Sequence, residues 1–151
     1  MSASARLEEL GITLPEVARP LAAYVPAVRT GNLVYTAGQL PMQAGKLAGT
    51  GKVGGQVSPE QAARLARICA LNALAAVDSV VGIDAVTRVV KVVGFVASAP
   101  GFHGQPGVVN GASELLGDVF GDRGAHARSA VGVAELPLDA PVEIELVVEV
   151  E

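Results

Sequence analysis

The chain has 151 residues, of which half are hydrophobic, and its 11 basic and 15 acidic side chains give a formal net charge of -4. This length and hydrophobic content exclude a disordered chain and predict one domain with a sizeable core. The basic residues are scattered along the sequence, which argues against a nucleic-acid partner. The most apolar stretch, 89–99, contains Lys91 and is too short to span a membrane, so we expect no membrane partner.

The beginning of the chain predicts a short helix followed by an irregular arm. Ser4 can cap a helix over 4–10, and Gly11 follows that helix. Residues 11–23 contain two prolines, which favour irregular structure. Because residues 1–14 lack the apolar run of a secretory signal, we expect a cytoplasmic protein.

Two strands and a long loop are predicted next. Residues 24–29 and 33–36 are extended runs, and the turn sequence Thr30-Gly31-Asn32 between them predicts a β-hairpin. Residues 38–57 contain six glycines and no helical period. We therefore expect a loop there, with a short strand at 54–57.

A helix is predicted to begin where Ser58, Pro59 and Gln61 combine an N-cap, a proline at the first helical position and the glutamine of a capping box. Gly82 is expected to end this helix. Its inner face includes Cys69, which is the only cysteine and therefore cannot form an internal disulfide. We expect Cys69 to be a buried residue rather than a reactive thiol.

The remaining elements predict the fold class. Residues 87–96 are rich in β-branched side chains and predict a strand, and 108–120 has helical spacing. Two more strands are expected at 127–135 and 142–149, joined by the turn 136–141. The order β-β-α-β-α-β-β predicts an α+β fold in which both helices cover one face of a mixed sheet. Since the strands carry apolar side chains on both faces, we expect other copies of the chain to cover the second face.

Few residues stand out as candidates for chemistry. Motifs for a metal site, a phosphate-binding loop or a serine hydrolase are absent, and His103 and His126 lie far apart, so neither is assigned a role. Arg128 and Glu143 are charged residues in otherwise apolar strands, and pairing of the last two strands would bring them to the same end. An arginine can grip a carboxylate and a glutamate can move a proton, but a structural ion pair explains the two residues equally well.

Two segments resemble a known family. Tyr24–Pro41 resembles the N-terminal hairpin of the RidA/YjgF family, the reactive intermediate imine deaminases, which are also named after endoribonuclease L-PSP. Ala127–Val133, followed by Leu136-Pro137 and Val142–Glu145, resembles the C-terminal signature of that family. The resemblance begins near Tyr24, so we expect 1–23 to be an N-terminal extension and 24–151 to be a single domain.

The resemblance implies a chorismate-mutase-like fold that assembles as a homotrimeric barrel, with ligand sites in the clefts between subunits. It also implies hydrolysis of 2-imino or enamino acids to 2-oxo acids and ammonia, without a metal or a cofactor. Arg128 would bind the substrate carboxylate, and Glu143 would handle the water or the proton. Tyr24, Gly38 and Asn110 match further substrate-binding positions.

The sequence also departs from the deaminases. Ala37 stands where they usually have serine, Ala130 replaces a frequent cysteine, and the region of Leu115 and Leu116 lacks their aromatic residues. These changes predict a less polar pocket in a divergent branch of the family. A non-catalytic protein that binds a keto acid in the same cleft is therefore an alternative. Endoribonuclease activity is disfavoured by the acidic balance and by an aromatic content of only 3%.

Overall fold

A computed structural model describes all residues from Met1 to Glu151 and shows two long helices packed against a mixed five-stranded sheet. None of the helices has the length and apolar character needed to cross a bilayer. The elements in chain order are α1 (Ala3–Glu9), β1 (Ala27–Thr30), β2 (Leu33–Thr36), β3 (Met42–Gln43), β4 (Lys46–Leu47), α2 (Pro59–Val81), β5 (Val86–Ala97), α3 (Gln105–Phe120), β6 (Ala127–Val133) and β7 (Val142–Val150). This confirms the predicted α+β class.

The strand order in the main sheet is β1-β2-β7-β5-β6. The β6 strand pairs in parallel with β5, whereas the other neighbouring strands are antiparallel. The pairing of the last two strands, which would bring Arg128 and Glu143 together, does not occur, because β5 lies between them. Residues Val92 and Val96 of β5 are fully buried, and a strand of this apolar character is stabilised in the middle of a sheet.

The segment between β2 and α2 also differs from the prediction. Its paired part is the small hairpin of β3 and β4, and no strand forms at 54–57. Val53 instead makes isolated bridges to Val57 and Ser98. These bridges attach the glycine-rich loop to the end of β5.

Helix α2 begins and ends where the sequence predicts. The hydroxyl of Ser58 accepts a hydrogen bond from the backbone N–H of Gln61 at 3.1 Å, and Pro59 is the first helical residue. Gly82 ends the helix with a φ of 79°, a conformation that favours glycine. Cys69 is buried on this helix, as expected, and burial raises the pKa of its thiol, with a smaller contribution from the charge of Glu143.

Both helices pack on the same face of the sheet. On β7 the side chains that point toward the helices are buried, while the intervening side chains are at least partly exposed. We call the uncovered side the open face. Its apolar residues include Val28, Tyr35 and Val131, which are 53%, 46% and 44% exposed. The open face includes Val28, Tyr35, Lys91, Val93, Phe95, Ser129, Val131, Glu143, Glu145 and Val147.

The predicted short N-terminal helix is present, but Ser2 caps it, not Ser4 as predicted, and Ser4 attaches the helix to the rest of the chain. Ser4 donates two hydrogen bonds to Asp84, from its backbone N–H at 2.8 Å and from its hydroxyl at 2.6 Å. These bonds hold the pKa of Asp84 below its usual range. Arg6 donates from Nε to the carbonyl oxygen of Asp118 at 2.8 Å, and Leu7 is buried. Helix α1 is therefore attached near the start of β5 and the end of α3.

Helices α2 and α3 approach each other most closely at Gly111. A Cβ atom at this position would overlap the backbone carbonyl oxygen of Ala63, so glycine is required for the contact. Gly117, on the same helix, is exposed and has open space where its Cβ would lie. Gly111 is therefore needed for the packing of the two helices, whereas Gly117 is not.

We expect Gly111→Ala to lower the free energy of unfolding by about 3 kcal/mol, because the added methyl group forces the two helix backbones apart. The control, Gly117→Ala, is expected to raise it by about 1 kcal/mol through helix propensity alone. Chemical denaturation at one fixed protein concentration measures both changes. Equal effects of the two substitutions would contradict the close packing at Gly111.

Candidate functional site

Arg128 is held firmly against α3. It is paired with the buried Val92 of β5, so its side chain lies on the helix-covered face of the sheet. Its Nη1 donates to Oδ1 of Asn110 at 2.8 Å and to Oγ of Ser113 at 3.1 Å, and its Nη2 donates to the carbonyl oxygen of Pro106 at 3.3 Å. These three partners lie along one face of α3, as residues at this spacing do.

The contacts of Arg128 leave one edge of the guanidinium without a partner. A guanidinium carries five N–H groups, of which three are used in the bonds to α3. The Nε–H and one Nη2–H make no hydrogen bond within the chain, and Arg128 forms no ion pair. Two N–H groups at this spacing match the two oxygens of a carboxylate. We call Arg128 and Asn110 the first half-site.

Glu143 lies on the open face, next to Gly38. A Cβ atom at position 38 would come 2.7 Å from Cδ of Glu143, so a larger residue there would displace this carboxylate from its present position. The N–H of Gly38 has no acceptor within the chain. Burial raises the pKa of Glu143, and the negative charge of Glu145 raises it further. We call Glu143 and Gly38 the second half-site.

One chain does not bring Arg128 and Glu143 together. Arg128 is paired with Val92, whose side chain points toward the helices, whereas Glu143 is paired with Phe95, whose side chain points toward the open face. The two charged groups therefore lie on opposite faces of the sheet and on opposite sides of β5. The prediction that they fall at the same end of paired strands is wrong for this geometric reason.

Tyr24 belongs to neither half-site by direct contact. Its hydroxyl accepts a hydrogen bond from the backbone N–H of Leu21 at 3.1 Å, and its ring is largely exposed before β1. Surface depressions of about 550 and 400 Å³ contain none of the sequence-predicted site residues, although His126 lines the smaller one. This placement is consistent with a site that is incomplete in a single chain.

The sequence analysis missed two polar residues beside Arg128. Ser113 contacts Arg128 directly, and Nε2 of His126 lies 2.9 Å from the Ser113 hydroxyl. His126 is thus part of the first half-site's surroundings, whereas His103 is exposed. The available signal was the helical spacing that places Ser113 on the same face of α3 as Asn110.

The leucines that suggested a less polar pocket do not line either half-site. Leu115 and Leu116 are fully buried in the core. Ser113, two positions earlier, supplies a polar group instead. Ala130 is partly buried against the core, and Ala37 donates its backbone N–H to Pro26 at 2.8 Å.

Comparisons with known proteins give consistent matches. A family model described as endoribonuclease L-PSP matches residues 16–150. Protein TCP17 from Trypanosoma cruzi is 42% identical over 148 residues, which cover 97% of this chain and 92% of TCP17. The crystal structure of Atu1372 from Agrobacterium tumefaciens, a protein with unknown function, matches this chain with a TM-score of 0.91. The two sequences are 48% identical, and the match covers 99% of this chain and 92% of Atu1372. The YjgF gene product from E. coli is 28% identical with a TM-score of 0.65, over 89% and 93% of the two chains.

The raised pKa of Glu143 predicts that ionisation of this carboxyl lowers the free energy of unfolding. Because folding favours the protonated carboxyl, stability falls as the pH rises from the ordinary pKa of a glutamate through the raised one. We expect Glu143→Gln to increase the free energy of unfolding at pH 8 and to leave it unchanged below the ordinary pKa. Denaturation curves at both pH values test this, with the exposed Glu149→Gln as the control. A stability gain of the same size at both pH values would contradict the assignment.

Proposed function

Since this chain belongs to the endoribonuclease L-PSP family, which is the RidA/YjgF family, we propose that it hydrolyses reactive 2-imino and enamino acids to 2-oxo acids and ammonia. The observation that carries this proposal is the guanidinium of Arg128. Three acceptors on α3 fix its orientation, and the edge that fits a carboxylate is left free. The substrates of this reaction all carry a carboxylate next to the reacting carbon.

In the proposed mechanism, the substrate carboxylate lies on the free edge of Arg128. The carboxamide oxygen of Asn110 accepts from Arg128, so its amide nitrogen is left to donate to the ligand. The reacting carbon of an imine is already electrophilic. Holding the carboxylate and placing one water against that carbon therefore supplies much of the rate enhancement.

Glu143 is proposed to move the protons. A water oxygen bonds to the imine carbon while Glu143 takes a proton from that water. That proton passes to the nitrogen as the carbon–nitrogen π bond breaks, which gives a carbinolamine. Glu143 then takes the remaining hydroxyl proton and delivers it to the nitrogen, and the carbon–nitrogen bond breaks as ammonia leaves and the C=O bond of the 2-oxo acid forms. Burial raises the pKa of this carboxyl, so its carboxylate is a stronger base toward the water than an exposed one. The unpaired N–H of Gly38 lies beside it and can donate to the substrate.

We propose that the complete site forms between subunits of a homotrimer. The first half-site of one subunit would face the second half-site of its neighbour, because the two lie on opposite faces of one chain. The exposed apolar side chains of the open face support its burial between copies. Tyr24, exposed at the start of the hairpin, would line the same cleft from the side of the second half-site.

Two other functions can be tested against imine hydrolysis. A non-catalytic protein would use the same guanidinium to hold a keto acid, and the substitutions at Ala37 and Ala130 favour this alternative. The family's description also names endoribonuclease activity. RNA cleavage that survives repurification and is lost in an Arg128 or Glu143 variant would support that activity over imine hydrolysis.

We expect Arg128→Ala to lower the release of ammonia and 2-oxo acid by about 100-fold or more, because the substrate carboxylate loses its bidentate partner. The substrates are 2-aminoacrylate and 2-aminocrotonate, generated in the assay by a dehydratase. Arg64→Ala, at an exposed position on α2, is the control and should retain activity. Full turnover by Arg128→Ala would refute the mechanism. Binding of 2-oxobutanoate without turnover by the wild type would select the non-catalytic alternative.

The shared site predicts complementation between two inactive variants. In a random 1:1 mixture of Arg128→Ala and Glu143→Gln chains, about a quarter of the sites would receive both intact half-sites from different subunits. We therefore expect co-expression to restore about a quarter of the wild-type activity, although each variant alone is inactive. No restoration in mixed trimers, verified by mass spectrometry, would show that both groups act from the same chain.

A further inference from the structure

A chain of hydrogen bonds extends behind Arg128 and ends on the backbone. Nδ1 of His126 lies 2.6 Å from the carbonyl oxygen of Gly124, and Nε2 lies 2.9 Å from the Ser113 hydroxyl. A carbonyl oxygen can only accept, so Nδ1 carries a proton and donates it to Gly124. In the neutral imidazole, Nε2 is then an acceptor, and Ser113 donates to it.

The direction of these bonds determines what Ser113 offers to Arg128. Its hydroxyl hydrogen is used by His126, so the oxygen lone pairs accept from Nη1 of Arg128 at 3.1 Å. Without the histidine, the Ser113 side chain can rotate about χ1 and donate to a backbone carbonyl of the preceding turn, which moves Oγ away from Arg128. Arg128 would then lose one of its three acceptors and would gain freedom to pivot.

The far end of this hydrogen-bond chain is fixed to the same helix that supports Arg128. Gly124 is buried, and a Cβ atom there would overlap the carbonyl oxygen of Leu116 on α3. The backbone group that orients His126 is therefore packed against α3. As a result, Asn110, Ser113 and His126 all hold Arg128 in position relative to helix α3.

We propose that Ser113 and His126 are positioning residues that set the orientation of Arg128 and thereby its selectivity for carboxylates. The inference rests on the proposed function, because it takes Arg128 as the group that holds the ligand. Two-point binding of a planar carboxylate depends on the orientation of the guanidinium. A ligand with an uncharged amide in place of the carboxylate depends on that orientation much less.

The test compares 2-oxobutanoate with 2-oxobutanamide by titration calorimetry on the assembled protein. His126→Ala and Ser113→Ala should each weaken binding of the carboxylate by about fivefold and leave binding of the amide nearly unchanged. His126→Gln and Ser113→Thr keep an acceptor and a hydroxyl, and they should restore the carboxylate affinity. The exposed His103→Ala is the control and should behave as the wild type.

A second measurement tests the positioning without any ligand. The ¹⁵N relaxation of the Arg128 Nε–H reports the mobility of the guanidinium, which His126→Ala should increase and His126→Gln should restore. An equally rigid guanidinium in His126→Ala, or equal carboxylate affinity in all variants, would overturn the inference. A wild type that binds no carboxylate, but whose Arg128 becomes mobile in His126→Ala, would instead overturn the proposed function.

Discussion

The position of β5 in the middle of the sheet is the constraint on which the rest of the structure depends. Its pairing with β7 on one side and β6 on the other separates the two charged groups of the candidate site. Its register directs Arg128 toward the helices and Glu143 toward the open face. A single chain therefore carries Arg128 and Glu143 on opposite faces of its sheet, and the proposed site requires a second copy of the chain.

The two half-sites differ in how well the chain satisfies their charged groups. Arg128 is well satisfied, since three acceptors on one helix hold its guanidinium before any ligand arrives. Glu143 is poorly satisfied, because burial and the nearby Glu145 disfavour its charge. The first arrangement reduces the entropy that ligand binding must remove, and the second makes the Glu143 carboxylate a stronger base. A recognition group and a proton-transfer group have these different requirements.

Local sequence signals predicted the helices well, because caps such as Ser58 and Gly82 act within a few residues. The sequence also singled out Arg128, Glu143, Gly38 and Asn110, and the structure brings these residues together in two pairs. The pairing of β6 with β5 could not be predicted, since strand order depends on packing between distant segments. Ser113 and His126 were missed for the same reason. They meet only after α3 has packed beside β6, and neither belongs to a motif.

The pairing of β2 with β7 has a consequence for how the chain folds. Leu33 of β2 pairs with Glu149 of β7, so β2 cannot complete its pairing until β7 has been made. During synthesis, β2 and β5 are both made before β7, which lies between them, and their facing edges stay unpaired until β7 has been made. Such edges are sites of aggregation. Loss of the part of β7 that pairs with β2, residues 147–149, would therefore divide the sheet in its interior rather than shorten it at its margin.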